Sequence, residues 1–201
     1  MPKIVDHAER KEQIVEATFR IIHYYGFEKT TLREIAKEAE LSLGSVQHFF
    51  PKQKDIYLYA MDVMYQRFGE RMQKVVQVDN GVFENAVRTV KQLVQVNTEE
   101  ERIENDIWVK FSIMATMNPE YQEQHKGFRN VHLNFAKDLI RTLHNNGYMK
   151  TSTNMEESAN SLMIFIHGLV FESVIYAHLY NDQVVEKEIR DYLHKICNEN
   201  Q

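Results

Sequence analysis

Cysteine is nearly absent: 201 residues contain one, Cys197, so no intrachain disulfide framework can form. That usage fits a reducing cytoplasm. Three prolines and seven glycines leave little material for turns, which favours long helices. Alternating strand-type patterns are missing, as are internal repeats and low-complexity tracts, so the fold class expected is all-α. No charged-then-apolar leader opens the chain, so secretion is not expected. Residues 162–179 form the longest apolar stretch, but His167, Glu172 and His178 interrupt it, which argues against a membrane span. Nine histidines are present without an H-E-x-x-H or Cys/His cluster; His125 and His132 share a face but have no third ligand, so no metal or other cofactor is expected. Phosphate-cradling glycine loops and nucleophile elbows are also lacking, which excludes the enzymes that announce themselves by motif.

A basic excess is lacking too, with a pI near 6.0. The charge is unevenly spread, however. Residues 1–75 carry twelve basic and eleven acidic side chains, the remainder twelve and eighteen. A neutral-to-basic head on an acidic body would orient the head toward a polyanion.

What is present is a sharp local pattern at 31–50, TLREIAKEAELSLGSVQHFF. Leu32, Ile35, Ala36 and Ala39 recur at helical spacing, and Thr31 with Glu34 reads as a capping box. Ser42 can cap a second helix whose apolar positions are Val46, Phe49 and Phe50. The short link Glu40-Leu41-Ser42 suits a helix-turn-helix, with Leu41 filling the angle between the helices. Such a unit presents its second helix to the major groove of DNA. The candidate DNA-binding residues are Ser42, Leu43, Gly44, Ser45, Gln47 and His48 on that helix, with Lys29, Thr30, Thr31, Arg33, Lys52 and Lys54 around it for phosphates. Residues 8–25 form an amphipathic helix ending at Gly26, where Phe27 can fold back in a Schellman-type cap. Its aromatic residues are expected in the core of a three-helix head.

Residues 30–57, TTLREIAKEAELSLGSVQHFFPKQKDIY, preceded by YYGFEKT, resemble the TetR family of bacterial repressors. GSVQHFF is more similar to the BetI-like branch than to the tetracycline repressor itself. The resemblance implies an operator-binding head and a helical domain that dimerises and holds a small effector. This sequence departs from the family pattern in three places. Glu40 stands where the turn usually has Gly, Gln47 where Tyr is frequent, and Gln53 where Lys is common. A left-handed backbone at Glu40 would cost roughly 1–2 kcal/mol.

Domains are expected at 1–53 and 54–201, sharing a helix at 54–76 that Pro51 introduces and a turn at Asp79-Asn80-Gly81 closes. Further helices are expected at 83–96, 99–117, 120–144, 155–180 and 184–197. The helix around 162–176 is apolar nearly all round and must be covered on more than one side. A dimer four-helix bundle would cover it, through Phe165, Val170, Val174, Val185, Ile189, Tyr192, Leu193 and Ile196. An apolar effector pocket is expected among Trp108, Phe111, Met114, Phe128, His132, Phe135, Met163, His167 and Phe171, although apolar stripes of this kind equally describe plain core. The expected partners are therefore double-stranded operator DNA, a partly apolar small molecule and a second copy of the chain. A helical interaction module that keeps the helix-turn-helix shape without binding an operator is the alternative.

Overall fold

A computed structural model describes residues 7–76 and 81–197. Among them are nine α-helices and no strand. The head comprises α1 (His7–Tyr25), a 3₁₀ turn (Phe27–Lys29), α2 (Leu32–Glu38) and α3 (Leu43–Phe49). Then come α4 (Gln53–Val76), α5 (Val82–Lys91), α6 (Glu99–Met117), α7 (Pro119–Asn145), α8 (Met155–Ile175) and α9 (Asp182–Ile196). Residues 1–6 and, of the expected turn, Asp79 and Asn80 lie outside the described residues. Gly81 begins α5 with φ 83° and ψ 155°, a backbone that only glycine adopts without strain.

The head is built by caps the sequence announces. The Thr31 hydroxyl accepts from the Glu34 N–H at 3.2 Å, and Ser42 accepts from the Ser45 N–H at 3.1 Å. The full reciprocal box occurs elsewhere, at Thr98 and Glu101 before α6. Between α2 and α3 the chain makes a Schellman turn: Leu41 N–H donates to Ala36 O at 2.8 Å and Glu40 N–H to Lys37 O at 3.1 Å. Glu40 has φ 54°, the sole non-glycine at positive φ among the described residues. The end of α1 differs from the Schellman cap expected there. Gly26 makes a single bond to Ile22 O, and Phe27 packs edge-on against Tyr57 of α4 at 5.1 Å, in a cluster that also holds Phe19 and Ile22 of α1.

α1 has two buried faces. Ile14, Ala17 and Ile21 pack with Ile35, Ala36, Val46 and Phe50 inside the head. Val15, Phe19 and Ile22 join Tyr57, Ala60 and Met61 of α4 and Ile107 and Phe111 of α6. Tyr24 and Tyr25 are exposed, contrary to their expected place in the core; the Tyr24 hydroxyl donates to Glu99 at 2.7 Å. Phe50, extended before Pro51, ends α3.

The body's own core gathers residues from α5 to α9. Two helices end earlier than their patterns predict. α5 stops at Lys91 because Val94 and Val96 turn inward to be buried and Asn105 Nδ2 takes the Gln95 carbonyl at 2.7 Å. α8 stops at Ile175, where Tyr176 leaves helical geometry with φ −117°. α8 is the one described helix long and apolar enough to cross a membrane, yet Leu162, Met163, Ile166, Leu169 and Val170 are buried against its neighbours.

Glu40→Gly removes the left-handed penalty without altering a contact of the turn. It is expected to stabilise the protein by about 1 kcal/mol, raising Tm by about 2–4 °C in calorimetry for a chain of this size. An unchanged or lower Tm would mean that the turn is not strained.

Candidate functional site

Two features stand out: the outer surface of the head and a cavity in the body. On α3, Val46 is buried while Ser42, Gly44, Gln47 and His48 are exposed and Leu43 and Ser45 half-buried. The helix thus presents one polar edge outward, with no acidic residue in its first turn. A Cβ added at Gly44 would find only the Ser42 hydroxyl, at 4.0 Å, so nothing inside the molecule requires glycine there. The His48 ring lies 5.2 Å from Phe49 and 6.3 Å from His7, which are themselves 5.3 Å apart.

Lys29, Thr31, Arg33 and Lys52 are exposed around this edge. Two of the residues expected with them are placed otherwise. Thr30 is fully buried; its hydroxyl donates to Gly26 O at 2.8 Å, and its carbonyl accepts from the Gln53 amide and the Tyr57 hydroxyl. It closes the 3₁₀ turn and cannot reach a ligand. Lys54 reaches instead to Glu120 at the start of α7, 3.1 Å away. The Gln53 side chain, where the family commonly has Lys, is occupied by that contact to Thr30. The amino terminus of α4 is also partly taken, since Asp55 accepts from the Lys52 N–H at 3.1 Å.

The cavity, of about 70 Å³, lies between α4, α6, α7, α8 and the segment after α5. That is several times the space one water needs. Trp108, Phe128, His132 and His167 line it. The Trp108 and His167 rings are 4.8 Å apart, and His132 lies 6.0 Å from His167 and 5.4 Å from Phe68. Burial, reinforced by the other ionisable histidines nearby and, for His167, by Arg129, lowers both histidines to about 4, so both are neutral at pH 7. Phe135 stands behind Phe68 at 5.9 Å and is not part of the lining. Four expected members are elsewhere. Phe111 and Met114 pack in the core shared with α1, Met163 packs in the body core, and Phe171 is 45% exposed.

Sequence reasoning missed the α4 wall, Met61, Met64, Tyr65, Phe68 and Arg71. The signal was the continuation of the α4 stripe beyond the length the head needs. Arg71 pairs with Glu104 of α6 at 2.9 Å. Glu104 also receives Arg67 at 3.3 Å, and Arg67 reaches on to Glu16 of α1. These residues are too far apart in sequence for any spacing rule to join them. Among the described residues no group of histidine, cysteine and acidic side chains is placed to hold a metal; His125 Nε2 lies 3.1 Å from the Ser112 hydroxyl.

The expected dimer face is largely internal. Val170, Val185, Ile189 and Leu193 are buried in the subunit's own core. Phe165 and Tyr192 stack on each other at 4.1 Å, and with Val174 and Ile196 they flank that core. The apolar face that α8 leaves uncovered is a different one: Ile164, Gly168, Phe171 and Ile175.

Residues 14–60 match the family described as bacterial regulatory proteins, tetR family, and residues 84–198 match the BetI-type transcriptional repressor carboxy-terminal domain. The HTH-type transcriptional regulator PksA of Bacillus subtilis is 28% identical, covering 98% of this chain and 94% of the relative. The regulator BetI of Burkholderia cenocepacia is 23% identical, covering 96% of each. A transcriptional regulator from Saccharomonospora viridis, solved in complex with choline, shares the fold with a TM-score of 0.83 at 21% identity, over 95% of this chain and 99% of that one. A TetR regulator from Haloarcula marismortui superposes with a TM-score of 0.81 at 17% identity, over 95% and 100% of the two chains. With its helix-turn-helix head and BetI-type body, the chain belongs to the TetR family of DNA-binding transcriptional regulators.

Proposed function

We propose that the protein is a cytoplasmic, homodimeric repressor, not an enzyme, that leaves a palindromic operator when a small molecule enters the body cavity. One observation carries this reading: α4 is a single helix of 24 residues that begins beside the recognition edge and forms one wall of the cavity. At 1.5 Å per residue it is a rod of about 36 Å. A ligand that moves its far half must swing the head, and in a dimer that changes the spacing of two heads. The choline complex of the Saccharomonospora viridis regulator supports a small molecule as the signal.

The division into a head at 1–53 and a body at 54–201 is a functional one, since the two share packing through α1, α4 and α6. On the head, Gln47 is the base reader, because its amide can bond adenine in bidentate fashion. Ser42, Leu43, Gly44, Ser45 and His48 accompany it, and Lys29, Thr31, Arg33 and Lys52 contact phosphates. Bare Gly44 lets the first turn of α3 come close to the duplex; glycine inside a helix costs about 1 kcal/mol relative to alanine, and nothing in the fold explains it. Trp108, Phe128, His132 and His167 serve as effector-pocket walls.

The dimer forms through the uncovered face of α8. Ile164, Gly168, Phe171 and Ile175 recur at intervals of four, three and four, the seam of a helix–helix contact. Ile164 is 74% exposed and Ile175 52%, and Gly168 has nothing within 4 Å of an added Cβ, so a partner helix can approach closely.

Binding to the DNA upstream of its own gene should weaken steeply with salt, through counterion release. Gln47→Ala is expected to cut the preference for that DNA over random duplex by about 1–3 kcal/mol, whereas Lys52→Ala should weaken both alike. Fluorescence anisotropy with the two duplexes separates these outcomes; equal losses from both variants would reverse the roles given.

Phe171→Glu should give folded monomers in sedimentation, with operator affinity much reduced. Ile189→Glu, a charge placed at a fully buried site, should instead unfold the subunit. A Phe171→Glu protein that remains dimeric would remove this face from the interface.

A further inference from the structure

The acidic and most amide groups around the cavity are engaged, whereas His132 and the Tyr65 hydroxyl are not. The Glu101 carboxylate accepts from the Asn97 N–H at 2.7 Å and the Thr98 N–H at 3.1 Å. Glu104 accepts from both Arg67 and Arg71. Asn105 donates to the Gln95 backbone carbonyl at 2.7 Å, and the Gln95 side-chain amide donates to Gln92 Oε1 at 2.6 Å. Two buried atoms of lining residues have no hydrogen-bond partner: Arg71 Nε and His167 Nε2. Leaving such groups unmade costs about 1–3 kcal/mol each; neither atom meets the cavity's open space as it stands, so an occupant reaches each only as its side chain turns.

Their chemistry selects it. Arg71 Nε carries a hydrogen and can only donate, and a guanidinium bonds most strongly to an anionic oxygen. His167 Nε2, in the tautomer that carries its hydrogen there, is a second donor. Meanwhile two guanidinium groups converge on the single Glu104 carboxylate, with Glu16 on the far side of Arg67. Both lining carboxylates that could hold a cation are already spent, one on backbone N–H groups and one on arginines. Trp108, Phe128, Phe68 and Met64 also line the cavity and offer an apolar wall for a ligand's body.

We infer that the effector is a compact carboxylic acid with an aromatic or short aliphatic body, its carboxylate taken by Arg71 Nε and His167 Nε2 and its body lodged against Trp108 and Phe128. This rests on the reading of the cavity as the effector site and adds the ligand's class. It separates this chain from a receptor for quaternary ammonium ions, which would use the same aromatic wall with an uncommitted carboxylate.

Trp108 is the chain's only tryptophan, so its emission reports occupancy directly. The full chain would be titrated at pH 7.5 with benzoate, phenylacetate, hexanoate and decanoate, with phenylacetamide as the uncharged match, and with choline. A saturable change is expected with at least one acid, and at least tenfold weaker binding of phenylacetamide and choline. Arg71→Gln should weaken the acid at least tenfold and narrow its advantage over the amide; Arg71→Lys should restore part of it. Circular dichroism of each variant checks the fold, and the acid-against-amide comparison in the unaltered protein needs no variant. Saturation by choline or by the amide at concentrations no higher than the acids would overturn the carboxylate assignment while leaving the effector cavity standing. Silence toward all four acids would overturn it as well. DNA binding, measured without ligand, tests the regulator reading separately.

Discussion

Head and body are fastened by one apolar core, and the rest of the molecule is arranged around that fact. Val15, Phe19 and Ile22 on the back of α1 pack with Tyr57 and Ala60 of α4 and with Ile107 and Phe111 of α6. Polar ties ring this core. Lys110 Nζ donates to the Ile22 and His23 carbonyls at the end of α1, at 3.1 and 2.7 Å, and to Asp106, which also faces His23 at 2.8 Å. Because burying such side chains is worth about 1.5–3 kcal/mol each, the head cannot drift independently of α6. Motion is more cheaply taken up elsewhere, where α4 passes the cavity and side chains line open space. The shared core therefore makes the head follow its supporting helices as a rigid unit.

The same layout joins the cavity wall to the head through two arginines, of which Arg71 lines the cavity. Arg67 and Arg71 are one turn apart on α4, and both reach Glu104. Arg67 also touches Glu16 of α1. Any anion that draws on Arg71 changes what Glu104 has left for Arg67, and so changes an ion pair that reaches into the head. Pairs of this sort are only partly buried and individually modest in energy. Their value here lies in connectivity, from cavity wall to lever to recognition unit.

Much of the head was legible because its signals are local. Thr31 and Ser42 cap the helices they were expected to cap, Ile35, Ala36, Ala39 and Val46 are buried, and Gln47 and His48 point outward. Thr30 was misplaced for a reason no local pattern shows: its partners are Gly26 and, across the fold, Gln53 and Tyr57. In the body, an apolar stripe says that a face is covered but not by what. Val185, Ile189 and Leu193 form a clean stripe, yet the core of the same subunit covers it. Bidentate Arg190–Glu84 bonds at 2.7 Å and Lys91–Asp182 at 2.7 Å hold α9 against α5. The face left open was instead on α8, where hydrophobicity on every side hid which residues looked outward. For the cavity, Trp108, Phe128 and His132 line one space, but Phe111 and Met114 sit on the side of α6 that turns to α1.

Lys54 carries a quieter implication. Its ammonium is held by Glu120, 3.1 Å away, at the very start of the lever. If a phosphate is to take that ammonium, it must displace a carboxylate, and the pair it breaks offsets part of what the new contact gains. This lysine would then add less to affinity than its place beside the recognition edge suggests.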